Sequence, residues 1–291
     1  MTDRMTFGVV IRPQHWPWSE MAKQWPNAEA LGFDSIWTND HLHSLIGPVD
    51  NIAFEAQTTL AAIAMSTSRV RFGAMTYSVT HRNPVILAKQ MATLDHMSGG
   101  RAVLGIGAGW YEAEHAAYAV PFPAAGDRVG MLAEALQIFR LLELQQRTTF
   151  EGRFYQIRDA PFAPKPVNGH IPVLIGGTKP RMLRLVGQHA DIWDSSLPID
   201  ELQAALAVIH GHAREAGRDP ADILVSTGVW GPSSAWSGPP SDSDFADKVR
   251  AAYRAGVRQV LIKHTPDRQG IETIPHLMQN VVPELRTELE R

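Results

Sequence analysis

Gly99-Gly100-Arg101-Ala102-Val103-Leu104-Gly105-Ile106-Gly107-Ala108-Gly109-Trp110 is the stretch whose reading decides the fold. A glycine pair stops one helical pattern, a short apolar run follows, and three alternating glycines lead into a Trp. An apolar strand that ends in glycine-rich residues is how a (β/α)8 barrel presents its active-site face, because the loops after the strands line one end of the barrel. Trp37-Thr38-Asn39-Asp40-His41 repeats the design earlier in the chain, where a strand-like run stops at an acid and an imidazole.

Working outward, the same rhythm runs from end to end. Strand patterns fall at 7–11, 35–38, 70–75, 102–106, 173–175, 191–194, 224–227 and 259–263. Helical patterns fall at 19–31, 55–66, 85–97, 128–144, 179–189, 199–216, 244–255 and 274–289. The strands are short and rich in Val and Ile, as strands covered on both faces should be. Glycine stops recur at Gly32, Gly99 and Gly256, just past helix ends. Pro26 inside the first helical pattern predicts a kink.

Two stretches interrupt the alternation. Residues 147–172, with Phe150-Glu151-Gly152-Arg153-Phe154-Tyr155, predict a small hairpin and a Pro-rich loop before the fifth strand. Residues 231–242, Gly/Ser/Pro-rich with Trp236 among them, predict a mobile loop after the seventh. There is no composition shift of domain size and no repeat of roughly 20–50 residues beyond the βα unit. The expectation is therefore an α/β chain forming a single (β/α)8 TIM-barrel domain over residues 1–291. A doubly wound open sheet would use fewer strands.

Composition sets the outer limits. The chain has 291 residues, 44% hydrophobic and 20% charged, enough to bury a large core. Its 27 basic and 30 acidic residues give a net charge of −3, which offers nucleic acid or an anionic membrane no electrostatic attraction. Cysteine is absent, which excludes disulfides, thiolate nucleophiles and Cys-ligated metals. No run approaches the roughly 18 apolar residues of a membrane span. Asp3 and Arg4 lead directly into a strand pattern rather than a signal peptide, so a cytoplasmic enzyme or binding protein is expected.

Several motifs carry chemistry. Gly105-Ile106-Gly107-Ala108-Gly109-Trp110 is no dinucleotide fingerprint, because Trp110 replaces the third glycine. Glycines here let a flat ring lie against the backbone, or simply make a tight turn. Ile175-Gly176-Gly177-Thr178 ends the fifth strand and opens a helix, where backbone N–H groups suit a phosphate or form a plain turn. His41-Leu42-His43 has the spacing of a barrel metal pair. The fifth strand, however, ends in Gly176-Gly177, and His189 falls on a helix, so no metal is expected. Asp40-His41 then reads as an acid that orients a ring or base, beside an imidazole able to move a proton near neutral pH. The bland alternative is a helix cap or a loop tie. Arg82-Asn83-Pro84 reads as a helix start with Pro at its first position. Arg128 and Glu134 read as solvated or internally paired, and Trp193 as core. Trp230 and His264 stand at strand ends with no motif around them.

Taken in order, these pieces resemble the bacterial luciferase-like family of flavin and deazaflavin enzymes over nearly the whole chain. The resemblance rests on Gly32-Phe33-Asp34-Ser35-Ile36-Trp37 with Asp40-His41-Leu42, and on Arg82-Asn83-Pro84, Ala92-Thr93-Leu94-Asp95 and Ser98-Gly99-Gly100-Arg101. It continues through Leu104 to Trp110 with Glu114, then Phe150-Glu151-Gly152, Tyr155, Pro172, Ile175-Gly176-Gly177 and Ala190-Asp191. Asp40-His41 is similar to the acid and imidazole that the coenzyme F420 branch sets beside its 8-hydroxy-5-deazaflavin ring. This implies an F420-dependent oxidoreductase, with hydride transfer at the deazaflavin C5 and His41 as proton donor or acceptor supported by Asp40. The resemblance sets the ring against Met75, Thr76, Ala108 and Gly109 and its phosphate near Gly176 and Gly177. Asp40, Trp110 and Thr178 complete the expected cofactor-binding set. It also implies a cis peptide between Met75 and Thr76, a small organic substrate and a homodimer. Sugar-phosphate dehydrogenases of this branch carry a carboxylate where this chain has Trp110, which turns the expected substrate toward an apolar ketone, alcohol or activated alkene. An FMN-dependent monooxygenase using molecular oxygen and a non-catalytic flavin-binding barrel stay open as alternatives.

Overall fold

The computed structural model describes residues 4–45, 47–230, 241–264 and 273–290. In chain order they form β1 (Thr6–Ile11), α1 (Trp18–Ala30), β2 (Ser35–Thr38), α2 (Ala56–Ser66), β3 (Arg71–Ala74), β4 (Tyr77–Ser78), α3 (Pro84–Ser98) and β5 (Ala102–Gly107). Next come α4 (Glu112–Ala117), α5 (Ala125–Leu144), β6 (Arg147–Glu151), β7 (Gln156–Pro161), β8 (Val173–Gly176), α6 (Pro180–His189) and β9 (Ile192–Ser195). The chain ends with α7 (Leu202–Glu215), β10 (Leu224–Trp230), α8 (Asp242–Arg254), β11 (Val257–His264), α9 (Thr273–His276) and α10 (Val282–Leu289).

The main sheet runs β3-β2-β1-β11-β10-β9-β8-β5-β4, and β3 also bonds to β5, which closes it into a barrel. All of its pairings are parallel. β3 and β4 are two halves of one stave. Both pair with β5, and between them lie Met75 and Thr76, joined by a cis peptide bond. The nine segments therefore make eight staves, and the (β/α)8 expectation holds.

Strand residues alternate between two cores. Phe7, Val9 and Ile11 face the helices, while Val10 joins Trp37, Val103, Leu174, Ile192 and Leu261 inside the barrel. Trp37 dominates that interior, and its indole N–H donates to Ser35 Oγ at 2.9 Å, which satisfies the one polar atom it buries. Glycines on both flanking strands make room for it. A Cβ on Gly8 would lie 3.2 Å from Trp37 Nε1, and one on Gly73 would lie 3.1 Å from Cζ3.

The interruptions fall where the sequence sets them. β6 and β7 form an antiparallel hairpin ahead of β8. Its tip is fixed to α5 by the Glu134 carboxylate, which accepts from the N–H groups of Arg153 (2.8 Å), Phe154 (2.9 Å) and Tyr155 (3.0 Å). Of the 231–242 loop, residues 231–240 lie outside the described residues; α8 begins beyond them, where Ser241 Oγ accepts from the Asp244 N–H. α1 runs on through Pro26 as one helix. The last helical pattern is divided: a π-helical turn, Leu277–Val281, separates α9 from α10 just before Pro283. The Pro ring has no N–H for the carbonyl four residues back and collides with it, and the wider turn relieves both problems. No described helix is long and apolar enough to cross a membrane.

Candidate active site

β2 delivers Asp40 and His41 in succession, and neighbouring residues leaving a strand point to opposite sides. They therefore meet different partners. Asp40 is buried, and its Oδ2 accepts from the Ser78 N–H at 3.1 Å, Arg82 Nη1 at 2.7 Å and His81 Nδ1 at 3.3 Å. Burial presses this carboxyl upward, but the hydrogen bond from His81 and the Arg82 guanidinium hold it below the usual carboxylate range. Arg82 reaches on to Glu55 Oε1 at 2.6 Å.

His41 turns instead to α4. Its Nδ1 lies 3.0 Å from Glu114 Oε2, and the Leu42 N–H donates to Glu114 Oε1. Burial raises the Glu114 carboxyl too, yet the hydrogen bonds from His41 and Leu42 outweigh it and keep the group ionised. A carboxylate only accepts, so the His41 proton resides on Nδ1, and Nε2 is the nitrogen left to a bound molecule. Trp110 and Tyr111 wall the imidazole edge-on at 5.8 and 6.2 Å between ring centres.

These groups line a cavity of about 940 Å³ at the C-terminal ends of the strands. Of the expected site residues, Asp40, His41, Met75 and Thr76 line it from β2 and the broken stave. Ala108, Gly109 and Trp110 line it from the end of β5, and Gly176 and Gly177 from the end of β8. Thr178 does not line it. The glycine turn is held from behind by Trp193, a core residue as expected, whose indole N–H donates to Gly177 O at 3.0 Å. At Gly176 a Cβ would come no closer to protein than 3.8 Å, from Asp194 O, so any side chain there would project into open space.

Other residues extend the site beyond the sequence reading. Arg128 from α5, with Lys179 and Arg181 at the start of α6, lines the cavity, and none of the three forms an ion pair among the described residues. Asn39 also lines it, buried, with neither Nδ2 nor Oδ1 hydrogen-bonded. In the sequence Glu114 stands only at the end of a motif, and His81 belongs to none. Arg82-Asn83-Pro84 does start α3, with Asn83 Oδ1 accepting from the Val85 N–H at 2.9 Å, but Arg82 also serves Asp40. His43 turns away from the cavity and packs its ring against Tyr111 and Tyr118. No group of three or more His, Asp or Glu residues suited to a metal occurs among the described residues. The side chains of Trp230 and His264 lie outside the described set.

Comparison with known proteins gives this geometry a context. The model of the luciferase-like monooxygenase family matches residues 5–263. An F420-dependent glucose-6-phosphate dehydrogenase of Kineococcus radiotolerans is 31% identical over 256 residues, which span 80% of this chain and 75% of that protein. A 5,10-methylenetetrahydromethanopterin reductase of Methanolobus tindarius is 29% identical over 224 residues, 76% of this chain and 64% of that one. Among solved structures, an F420-dependent secondary alcohol dehydrogenase in complex with an F420-acetone adduct matches 97% of this chain and 99% of its own. Its TM-score is 0.85 at 20% identity, a likeness of fold.

Proposed function

Because this chain belongs to the luciferase-like monooxygenase family, we infer that it is a coenzyme F420-dependent oxidoreductase acting on a small, uncharged alcohol or carbonyl compound. The observation that carries this reading is His41: Nδ1 tied to an ionised Glu114, Nε2 without a hydrogen-bond partner among the described residues, at the wall of a cavity large enough for a cofactor and a substrate. The F420-dependent relative from Kineococcus radiotolerans supports the choice of cofactor.

The residues present fit a deazaflavin. The unpartnered Asn39 amide offers one donor and one acceptor to the edge of a heterocycle that carries both, and buried amides rarely go unpaired. Gly176 leaves space that a side chain would fill, and the N–H groups opening α6 suit a phosphate. Arg128, Lys179 and Arg181 add positive charge for an anionic tail. When bound, a deazaflavin would supply hydride transfer at its C5, in either direction. His41 then does the work of the protein: its Nε2 takes the hydroxyl proton as an alcohol becomes a carbonyl, and gives it back in the reverse direction. Glu114 stabilises the imidazolium formed in between. Trp110, 67% exposed beside His41, supplies an apolar face rather than a charge, which suits an apolar ketone, alcohol or activated alkene better than a sugar phosphate.

Fluorescence titration of the purified protein with coenzyme F420 and with FMN, at one salt concentration, tests the reading. F420 is expected to bind at micromolar Kd or tighter, about −8 kcal/mol, and FMN at least roughly tenfold more weakly. Equal or tighter FMN binding would move the chain to a flavin monooxygenase.

A further inference from the structure

Behind His41 stands a second imidazole that the proposed reaction does not use. The His81 side chain is only 4% exposed. Its Nδ1 faces Asp40 Oδ2 at 3.3 Å. Its Nε2 faces Glu114 Oε2 at 3.8 Å and has no hydrogen-bond partner. The same Glu114 oxygen also holds His41 Nδ1, so one carboxylate oxygen stands between two imidazoles.

The charges around this oxygen do not balance without a further proton. From the end of β2 comes Asp40, from α4 comes Glu114, and both are held ionised. Against these two negative charges, the guanidinium paired with the cluster among the described residues is that of Arg82, which it shares with the partly exposed Glu55. His115, on α4, packs its ring 4.8 Å from that of His81. Both of its nitrogens are engaged by neutral groups, Nδ1 donating to Tyr111 O at 2.8 Å and Nε2 meeting Thr80 Oγ1 at 2.6 Å. That leaves His41 and His81 to hold the compensating proton.

Geometry distinguishes them. A neutral His81 donating Nδ1–H to Asp40 would point its Nε2 lone pair at a carboxylate oxygen, two acceptors face to face in a buried site. A cationic His81 presents N–H to both carboxylates. A neutral His41 loses nothing, because its one proton already lies on the nitrogen that faces Glu114.

We propose that His81 is a positioning residue: it stands as an imidazolium between Asp40 and Glu114 and so leaves His41 as the neutral member of the pair, with its proton on Nδ1 and its lone pair on Nε2. This rests on the reading of His41 as the proton partner in hydride transfer. It adds the reason that His41 is ready to accept a proton although it leans on a carboxylate. Without the charge on His81, Glu114 would draw a second proton onto His41 and close the Nε2 lone pair.

The test is ring-nitrogen NMR of the full-length, ¹⁵N-histidine-labelled protein without cofactor at pH 7.5, where an unperturbed imidazole, at about 6.5, is mostly neutral. Signals are assigned by their loss in H41Q and H81Q and by the His81–His115 ring contact. In the wild type, His81 should show two protonated ring nitrogens and His41 one, on Nδ1. In H81Q, His41 should gain the second proton. In H81K, which keeps a cation at this position, it should not. A neutral His81 in the wild type, or a His41 pattern unchanged in H81Q, overturns the proposal. The wild-type spectrum decides by itself if H81Q fails to fold. If F420 does not bind the wild-type protein, the functional reading fails, while the nitrogen pattern still decides the role of His81.

Discussion

His41 gives one nitrogen to an ionised carboxylate and keeps the other for the cavity, and the two halves are separable by mutation. His41→Ala removes the proton partner but leaves the glycine turn, the Asn39 amide and the three cations that would hold a cofactor. General acid/base catalysis is typically worth about 100- to 10,000-fold. Turnover of a panel of small alcohols and ketones should fall by that factor, with the F420 Kd unchanged by fluorescence titration. Glu114→Gln keeps the ring but replaces a pure acceptor with an amide that can offer N–H to Nδ1. Once that happens the proton moves to Nε2 and the lone pair faces away from the substrate. The same assay should show a kcat loss in the same range of about 100- to 10,000-fold, again with little change in cofactor affinity. Near wild-type kcat in both variants would reduce His41 to a piece of cavity wall.

At the scale of elements, closure of the barrel depends on places where backbone meets backbone. A Cβ on Gly105 of β5 would run into the Ala74 carbonyl oxygen of β3, and no rotamer relieves that. Gly105→Ala should cost about 1–3 kcal/mol, as overpacking does, read as a lower urea midpoint at unchanged m. The hairpin depends on Glu134, whose carboxylate takes three consecutive amides. Glu134→Ala should speed hydrogen exchange at Arg153, Phe154 and Tyr155 while leaving the amide of Leu174, in the barrel wall, as slow as before; protection retained at the tip would mean that β6 and β7 hold themselves. The staves were legible in the sequence because each is an apolar run closed by glycine or by polar residues. α4 was not, because six residues are too few to show a period. With α4 went the partner of His41: Glu114 lies 73 residues away, and only the folded barrel brings the two together. His81 was hidden for a related reason, sitting between β4 and α3 in a segment with no period of its own. Trp193 and Arg82 show the converse case, where a correct structural reading still missed a duty toward the site.

Over the whole molecule the two ends of the barrel have different duties, and the end away from the cavity is where loops and strand starts are tied together, as stability-bearing faces of such barrels are. There His170 sits between two acids, Nδ1 at 2.8 Å from Glu143 Oε2 and Nε2 at 2.9 Å from Asp191 Oδ2. Arg218 stands 3.6 Å from the other Asp191 oxygen and donates to the carbonyls of Gly187 and Ala190 at 2.9 and 2.7 Å. The hydrogen bonds to Asp191 and Glu143 push His170 up to about 9, while burial, with Arg218 nearby, pushes the neighbouring His189 down to about 4. The signs are opposite. His170 is raised from 6.5, so its contribution to stability is complete below that value and is lost as pH rises through about 9. His189 is depressed from 6.5, so its contribution is complete above that value and is lost as pH falls through about 4. Urea midpoints measured from pH 4 to 10 should therefore decline on both sides of a maximum near 6.5. His170→Gln should flatten the alkaline side alone and His189→Leu the acid side alone, each without changing the F420 affinity measured near neutral pH, because the cavity is at the other end. An alkaline decline as steep in His170→Gln as in the wild type would mean that some other group sets that limb.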